Sequence, residues 1–435
     1  MFERSDALRE RAHALIPGGA HTYAKGDDQY PRRAPGFIER GRGCRVWDVD
    51  GNEFIEYGMG LRAVLLGHAW PEVVAAVERQ LARGSNFTRP ARIEVEAAEA
   101  LLSALPGAEM VKFTKDGSTA NDAAIRLARA ATGRDLVAYC ADQPFFSTGD
   151  WFIGTTPMDA GIPRAVRDLS VSFRYDDLAS VERLFDAHPG EIACVILEAS
   201  RGDDPRDGFL HETQRLCREH GAVFVLDENI TGFRWHLGGA QRVYGITPDL
   251  STFGKALANG FAVSALAGRR ELMELGGIRH DHDRVFLLST THGGEAHGLA
   301  AAIATLGVYQ REPVVAHLER EGARLAAGCR DLAKGHGVER HFQVAGRASN
   351  LTYATLGPDG APSQAFRALF LQELIAHGVI APSFVISYSH AASDVDRTLE
   401  AVDGALGVYA RALEAGSVEG LLDGPPTKLV FRRRA

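Results

Sequence analysis

The chain of 435 residues is 45% hydrophobic and 24% charged, so it can bury a large core and exceeds the usual size of one domain. Its 48 basic against 56 acidic residues give a formal charge of -8, which excludes the basic surface that nucleic-acid binding needs. The cysteines are scattered and lack metal-binding spacings, which predicts reduced thiols and no bound metal. The sequence shows no signal-like or membrane-spanning apolar run, so we expect a cytoplasmic protein without a membrane span.

The first part of the chain predicts a charged helix followed by a β-hairpin. Residues 44–49 and 53–57 are short strand-like runs on either side of Asp50-Gly51-Asn52, which is a turn sequence. We expect this hairpin to lie outside the main sheet. Residues 1–62 are therefore assigned to an N-terminal segment that contributes to a smaller domain.

From residue 71 onward, helical repeats alternate with short apolar runs, which is the pattern of a mainly parallel α/β sheet. Pro71 suits the first turn of a helix, and Val73, Val77 and Leu81 follow at helical spacing. Strands are predicted at residues 136–139, 193–197, 223–226, 251–253 and 264–267. We assign residues 63–310 to a large α/β domain. Residues 311–435, with helices and a few strands such as 350–354, form a C-terminal part that completes a smaller α+β domain.

Three residues with reactive side chains follow strand ends: Glu198, Asp227 and Lys255. Open α/β sheets bind ligands at this edge. Lys255 stands in a glycine-flanked turn, where partial burial would favour a neutral amine that can condense with an aldehyde. Taken alone, such a lysine is more often an ordinary surface residue. Asp227 ends a buried strand and needs a partner, either a protonated pyridine nitrogen or, as the alternative, a helix to cap or an ion pair with Arg234.

A phosphate site is predicted at residues 117–119. Gly117, Ser118 and Thr119 follow a strand-like segment at 110–114 and open a helix over 120–131, where glycine, hydroxyls and free N–H groups favour an anion. Simple helix capping is the alternative. Phe145 and Phe146 could stack on a flat ring, although two such phenylalanines are more often core residues.

The order of these motifs resembles the class III aminotransferases. The motifs shared with the whole family are GST at 117–119, Glu198, DENITGFR at 227–234 and TFGK at 252–255. Further motifs resemble the glutamate-1-semialdehyde aminomutase branch, and these are IPGG at 16–19, VWDVDGN at 46–52, LGH at 66–68 and DRTL at 396–399. The resemblance covers nearly the whole chain.

The resemblance implies a fold type I transferase that binds pyridoxal 5'-phosphate in active sites shared by a homodimer. Lys255 would hold the cofactor as a Schiff base and move protons, and Asp227 would pair with the pyridine nitrogen. Ser118 and Thr119 would hold the phosphate, together with Thr290 reaching from the neighbouring subunit, with Thr291 as the alternative. The other cofactor contacts implied are Gly117, Glu198, Asn229 and a stacking aromatic ring, either Phe145 or Phe146.

Three departures from the family pattern bear on the substrate. Asn229 stands where the family has an apolar residue against the pyridine ring. Lys25 lies nearest to the position of an arginine in the mutase pattern and replaces a bidentate carboxylate clamp by a point charge. Residues 381–389 contain no carboxylate, whereas the mutase pattern has a glutamate there. The substrate-contact candidates are His21, Tyr23, Lys25 and Arg62.

We therefore expect an aminotransferase that takes an amino group from a donor, glutamate, and gives it to a carbonyl acceptor such as a keto-sugar or a natural-product intermediate. The alternative within the same chemistry is a glutamate-1-semialdehyde-type aminomutase or an epimerase, which keeps the amino group on one molecule. A non-catalytic homologue that binds the cofactor is the third hypothesis, and the presence of both Lys255 and Asp227 argues against it.

Overall fold

The structure is a computed structural model that describes residues 2–143, 145–200, 202, 204–206 and 208–434. It contains two compact units, one made of Met1–Trp70 and Ala316–Ala435 and the other of Pro71–Val315. These divisions fall a few residues beyond the boundaries at 62/63 and 310/311 drawn from the sequence. Residues 63–70 belong to the first unit because Leu65 accepts a backbone hydrogen bond from Tyr388 and His68 pairs with Gly43.

The described residues contain fifteen α-helices. In chain order these are α1 (Glu3–Leu15), α2 (Met59–Arg62), α3 (Pro71–Leu81), α4 (Arg92–Ala104), α5 (Gly117–Thr132), α6 (Asp150–Ile153), α7 (Arg164–Arg167), α8 (Leu178–Ala187), α9 (Phe209–Glu219), α10 (Gly239–Tyr244), α11 (Arg270–Met273), α12 (Ala296–Arg311), α13 (Val314–Gly335), α14 (Gln364–Ala376) and α15 (Ala392–Ala415). None of the helices in this part of the chain combines the length and the apolarity that a membrane span requires.

Thirteen β-strands accompany them in the same described ranges. In chain order these are β1 (Ile38–Arg42), β2 (Arg45–Asp48), β3 (Glu53–Glu56), β4 (Met110–Thr114), β5 (Leu136–Cys140), β6 (Ser170–Phe173), β7 (Ile192–Glu198), β8 (Val223–Asp227), β9 (Leu250–Phe253), β10 (Ser264–Gly268), β11 (Phe342–Ala345), β12 (Thr352–Thr355) and β13 (Val379–Ile380).

The second unit is built on a seven-stranded sheet with the order β4-β10-β9-β8-β7-β5-β6. Strand β10 runs antiparallel to β4 and β9, whereas all the other neighbouring pairs are parallel. Every residue of β7 and β8 is buried, as expected for parallel strands that helices cover on both faces. The prediction of a mainly parallel α/β sheet is confirmed, and the five predicted strands differ from the observed ones only at their ends.

Helix α5 carries the predicted phosphate turn at its N-terminus. Asp116 caps the helix by accepting a hydrogen bond from the N–H of Thr119 at 2.8 Å, and Gly133 ends it with a φ of 65°. The buried face of α5 includes Ala120, Ala123 and Ala124, and these small side chains let the helix pack closely on β9 and β10. The helix begins just after β4, whose carboxyl end lies at the same sheet edge as those of β7, β8 and β9.

The first unit joins both ends of the chain around a smaller sheet. Its four strands have the order β1-β2-β3-β13, with β13 parallel to β3. Strands β2 and β3 form the predicted hairpin, which lies outside the seven-stranded sheet as expected. Strands β11 and β12 pair with each other. The strand expected at 350–354 begins only at Thr352, because Ala348–Asn350 forms a 3-10 turn.

Candidate active site

The carboxyl ends of three neighbouring strands bring polar side chains to one edge of the central sheet. Glu198 ends β7 and Asp227 ends β8, and the strand register sets these two residues beside each other. Asp227 is in turn beside Thr252 of β9, which is followed closely by Lys255. The structure therefore brings Lys255 and Asp227 to adjacent strand ends.

Lys255 has an unusual backbone conformation. Its φ of 41° lies in the left-handed region, which residues other than glycine seldom adopt. The residue opens a 3-10 turn, Lys255–Ala258, in which the N–H of Leu257 donates to the carbonyl of Gly254 at 2.9 Å. The lysine side chain is half-buried, whereas the rest of the turn is buried. Backbone strain of this kind persists where the surrounding structure enforces it, and it is common at active sites.

Asp227 is a buried carboxylate that accepts three hydrogen bonds. Its Oδ2 accepts from Nδ2 of Asn121 at 2.8 Å, and its Oδ1 accepts from the backbone N–H and from Nδ2 of Asn229, each at 2.8 Å. A carboxylate has about four acceptor positions. Counting donors from the described residues, one position, on Oδ2, is therefore left for a further donor. None of the three donors is Arg234, the ion-pair partner considered from the sequence.

Two buried residues that the sequence analysis did not identify complete this network. The hydroxyl of Thr252 donates to Oδ1 of Asn121 at 2.6 Å and accepts from Nδ2 of Asn229 at 3.3 Å. Asn121 Nδ2 also donates to the carbonyl of Phe146 at 2.6 Å. Asn121 is a fully buried amide on the alanine-rich face of α5. A polar residue on such a helix face was the signal that could have identified it.

Asn229 leaves one buried polar atom unpaired. Its Oδ1 has no hydrogen-bond partner among the described residues, although the residue is only 6% exposed. Burying an amide oxygen in this way costs about 1–3 kcal/mol. A Cβ atom on Gly117 would lie 2.4 Å from this oxygen, and a Cβ atom on Gly254 would lie 2.5 Å from it. Both positions therefore need glycine for the amide to approach so closely.

The turn before α5 offers free backbone donors. Among the residues that the structure describes, the N–H groups of Gly117 and Ser118 have no hydrogen-bond acceptor. Thr119 differs, because its N–H and its hydroxyl both donate to the Asp116 carboxylate, at 2.8 and 3.0 Å. The Thr119 hydroxyl, expected to hold a phosphate, is thus committed to the helix cap. Gly117 and Ser118 remain as donors toward an anion at this helix N-terminus.

The two phenylalanines expected near a flat ring have different surroundings. Phe146 is buried and packs edge-to-face against Phe152, with ring centroids 5.7 Å apart. Phe145 also contacts Phe152 edge-to-face at 5.7 Å, but it is 44% exposed. Phe146 is therefore a core residue, and Phe145 is the one whose ring face is accessible to a ligand.

A glutamine ties Glu198 to the loop that precedes these aromatic rings. Gln143 Nε2 donates to the backbone carbonyl of Glu198 at 2.7 Å, and Gln143 Oε1 accepts from the backbone N–H of Glu198 at 2.7 Å. Both residues are buried. This pair of hydrogen bonds joins the segment after β5 to the end of β7, a contact that the sequence analysis did not predict.

Glu228 anchors the segment after Asp227 to the start of α10. Its carboxylate accepts from the backbone N–H groups of Ala240 at 2.9 Å and Gln241 at 2.8 Å, and from the hydroxyl of Thr231. Burial raises the pKa of Glu228 to about 7. The strand end that carries Asp227 is thereby connected to the helix that follows it.

Thr290 and Thr291 lie on an exposed segment of the second unit. Both side chains are exposed, and the carbonyl of Thr291 accepts a hydrogen bond from Asn86 Nδ2 at 2.9 Å. Neither threonine is drawn into the hydrogen-bond network around Asp227. Their expected contact with a phosphate in a neighbouring subunit stays a prediction.

The four substrate-contact candidates lie in the first unit. His21 and Lys25 line a cleft of about 850 Å³ together with apolar residues such as Tyr30 and Ile380. Tyr23 is 62% exposed and is not part of the cleft lining. The Nε of Arg62 donates to Oδ1 of Asn350 at 2.8 Å, and its Nη2 donates to Oγ of Ser383 at 3.3 Å. The Arg62 guanidinium is thus already engaged by other side chains of this unit.

This architecture is that of the fold type I pyridoxal phosphate-dependent transferases, with a mainly parallel seven-stranded sheet and a lysine and a buried carboxylate at adjacent strand ends. The family model described as aminotransferase class-III matches residues 26–144 and 148–380. The chain belongs to this family of enzymes. The resemblance drawn from the motifs is confirmed.

Curated relatives carry the name glutamate-1-semialdehyde 2,1-aminomutase. The protein from Roseiflexus castenholzii is 39% identical over 338 residues, which cover 75% of this chain and 76% of that protein. The protein from Desulforamulus reducens is 32% identical over 438 residues, which cover 94% of this chain and 99% of that protein.

Solved structures share the whole fold. FumI from Sphingopyxis sp. MTA144, described as a PLP internal aldimine form, has a TM-score of 0.87 at 30% identity and covers 95% of this chain and 98% of its own. A glutamate-1-semialdehyde aminomutase from Pseudomonas aeruginosa PAO1 has a TM-score of 0.80 at 23% identity and covers 93% of this chain and 94% of its own. The first supports the cofactor expected from the sequence, and the second supports the fold.

Proposed function

We propose that this enzyme is a pyridoxal phosphate-dependent aminotransferase that moves an amino group from a donor, glutamate, to a carbonyl acceptor. The observation that carries the proposal is the arrangement of Lys255 and Asp227 on adjacent strand ends, with one acceptor position of Asp227 unfilled. A lysine amine and a buried carboxylate are the two groups that this chemistry needs from a protein.

The side chains present fit the cofactor at its three polar points. The N–H groups of Gly117 and Ser118, with the Ser118 hydroxyl, would hold the phosphate at the start of α5. Oδ2 of Asp227 would accept a hydrogen bond from the protonated ring nitrogen. Nζ of Lys255 would hold the aldehyde carbon, and the exposed face of Phe145 would cover the ring. When bound, the cofactor supplies an electron sink for the substrate carbon next to the amino nitrogen.

Within this proposal Lys255 and Asp227 have separate tasks. Nζ of Lys255 removes a proton from the substrate carbon and returns one during transfer, as a general base and then a general acid. Asp227 keeps the ring nitrogen charged, and Asn121 and Asn229 fix the carboxylate so that it does not rotate. Glu198 borders the same strand edge and is proposed as a further cofactor contact.

We further propose a homodimer in which Thr290, or Thr291, contacts the phosphate held by a second copy. Both threonines are exposed and are not engaged by the Asp227 network of their own chain, as a residue that reaches a neighbouring copy must be. Gly117 and Ser118 supply fewer hydrogen-bond donors than a phosphate group accepts, so a threonine hydroxyl of the second copy can donate to it as well.

The acceptor is proposed to be a polyhydroxylated carbonyl compound such as a keto-sugar or a natural-product intermediate. His21 and Lys25 are assigned to its binding because both line one cleft, and Lys25 has no ion-pair partner among the described residues. Tyr23 and Arg62 remain candidates of lower rank, since the first is outside the cleft lining and the second is engaged by Asn350.

A glutamate-1-semialdehyde-type aminomutase is the second candidate, favoured by the names of the curated relatives. The absence of a carboxylate from residues 381–389 favours the aminotransferase. The two functions differ in the number of substrates, because a mutase turns over with one molecule and an aminotransferase needs a donor and an acceptor.

The test is a donor screen on the cofactor-loaded enzyme. Amino acids and amino sugars are mixed one at a time with the protein, and the visible absorbance of the bound cofactor is followed. For an aminotransferase, we expect glutamate alone to remove this absorbance in a single turnover. Repeated turnover of glutamate-1-semialdehyde without a second substrate would support the mutase instead.

Variants at two lysines complete this test. Lys255→Ala should abolish the visible band and reduce transfer by at least roughly a thousandfold, because the covalent link and the proton carrier are both lost. Lys334→Ala removes an exposed lysine of α13 and should behave like the wild type. A Lys255→Ala protein with an unchanged band and rate would refute the proposed function.

A further inference from the structure

Three hydrogen bonds, two of them to Asp227, fix the position of Asn229. Its backbone N–H and its Nδ2 donate to Oδ1 of Asp227, both at 2.8 Å, and its Nδ2 also donates to Oγ of Thr252 at 3.3 Å. Exchanging the amide nitrogen and oxygen would set Oδ1 against a carboxylate oxygen. The orientation of the amide is therefore determined by its surroundings.

The other end of this amide lies between two glycines that precede proposed cofactor contacts. Gly117 comes before Ser118, and Gly254 comes before Lys255, and both leave room for Oδ1 of Asn229. This oxygen is buried without a hydrogen-bond partner in the described part of the chain. An apolar side chain of the same size would fill the space without burying an unpaired acceptor. The amide thus carries an energetic disadvantage that packing alone does not explain.

The donor end of the amide offers an explanation through Asp227. Hydrogen bonds to a carboxylate favour its ionised form and make it a weaker proton acceptor. With an apolar residue at position 229, Oδ1 would keep only the backbone N–H donor. We propose that Asn229 is a positioning residue that fixes the Asp227 carboxylate and weakens the ion pair between this carboxylate and the ring nitrogen of the bound cofactor. The ring nitrogen then loses its proton more readily. This inference rests on the proposed function.

The consequence is measurable because two nitrogens of the bound cofactor can be protonated, the ring nitrogen and the nitrogen shared with Lys255. Positive charges on one conjugated system disfavour each other. A ring nitrogen that holds its proton less firmly lets the second nitrogen keep its proton to higher pH. Replacing Asn229 by an apolar residue therefore lowers the pH at which the second proton is lost, and this loss changes the visible spectrum.

The experiment is a pH titration of the visible absorbance of the cofactor-loaded enzyme, in the absence of substrate. We compare the wild type with Asn229→Leu, which has a similar size but no donor, and with Asn229→Val. We expect the midpoint pH of the titration to be lower in both variants. This corresponds to an increase of at least roughly threefold in the proton dissociation constant. Thr305→Val is the matched control, since it removes a buried hydroxyl of α12 that bonds only to the carbonyl of Ala301, and it should keep the wild-type midpoint.

The outcomes separate this inference from the proposed function. A wild-type protein without a Lys255-dependent visible band refutes the function itself. A wild-type band whose midpoint is the same in Asn229→Leu or Asn229→Val overturns the role of Asn229 alone. If neither variant folds or retains the cofactor while the wild type does, Asn229 is a structural residue and the inference is likewise overturned.

Discussion

His390 is a buried histidine whose environment favours the neutral ring. The residue is fully buried, and its ring lies 4.4 Å from the ring of Tyr57. The backbone N–H of Ser387 donates to its Nδ1 at 3.0 Å, which assigns the proton of the neutral ring to Nε2. Burial lowers the pKa of His390 to about 4. The folded protein therefore binds a proton at this site less readily than the unfolded chain does.

This difference predicts a loss of stability in acid. The unfolded histidine titrates near its usual pKa of about 6.5, so its contribution is complete above that pH and is lost as the pH falls toward 4. We expect His390→Gln to remove up to about 3 kcal/mol of this pH dependence. The measurement is the unfolding free energy between pH 8 and pH 4, by urea denaturation. His211→Gln, an exposed histidine of α9, is the control, and equal slopes in both variants would contradict the prediction.

Other residues differ in how far their roles could be predicted from the sequence. Asp227 and Lys255 were predictable because a charged residue at or just after the end of an apolar run marks both a strand and the sheet edge where ligands bind. Asn121 and Thr252 were not, since their hydrogen bonds depend on how α5 packs against β9, a contact between distant parts of the chain. The commitment of Thr119 to Asp116 is local, but a cap and a phosphate turn have the same sequence pattern.

Among the larger elements, the described residues after α15, 416–434, form no helix or strand but are attached to the rest of the first unit by side chains. Gln372 of α14 is central to this attachment. Its Nε2 donates to the carbonyl of Leu421 at 2.9 Å, and its Oε1 accepts from the backbone N–H of Asp423 at 2.8 Å. Further along, Pro425 and Lys428 line the cleft that contains His21 and Lys25. A buried glutamine therefore helps to hold the segment that forms a wall of the cleft.

Gln372→Met keeps the length of the side chain but removes both hydrogen bonds. We expect a loss of about 1–3 kcal/mol in the free energy of unfolding, because the half-buried Leu421 carbonyl and Asp423 N–H both lose their partner. Hydrogen exchange at Leu421 and Asp423 should accelerate, which mass spectrometry of peptides can measure. Gln343→Met on β11 is the control at an exposed site. Unchanged exchange in Gln372→Met would show that the segment is held by other contacts.

Elements themselves were predictable to different degrees. The central strands were correctly predicted because continuous burial gives uninterrupted apolar runs, as in β7 and β8. The predicted start of β12 was wrong because the 3-10 turn at Ala348–Asn350 has no distinctive residue pattern. The attachment of the C-terminal segment by Gln372 was not predicted, since a single glutamine in a helix does not reveal its partner.

For the whole molecule, the five cysteines report on global integrity. All five are free and buried: Cys44, Cys140, Cys194, Cys217 and Cys329. Burial raises their thiol pKa values, to about 12 for four of them. They are therefore neutral and inaccessible in the folded protein, and only unfolding exposes them.

A thiol reagent should distinguish the folded from the unfolded chain. We expect no fast-reacting thiol in the native protein and five in denaturant, with a melting temperature that reductant does not change. Ser417→Cys, at an exposed site, is the positive control and should add one fast-reacting thiol to the native protein. A native wild-type protein that reacts at once would contradict the burial of these side chains.

The division of the chain also has a consequence for synthesis on the ribosome. The unit that carries Lys255 and Asp227 is one continuous stretch, Pro71–Val315, so all of its strands emerge in succession. The other unit pairs β3 near the start of the chain with β13 near its end, where Ile55 lies beside Val379. Strand β3 can pair with β2 at once, but its other edge must wait for several hundred residues of later translation before β13 is available. Until β13 has been synthesised, the nascent chain therefore exposes the unpaired edge of β3 to chaperones.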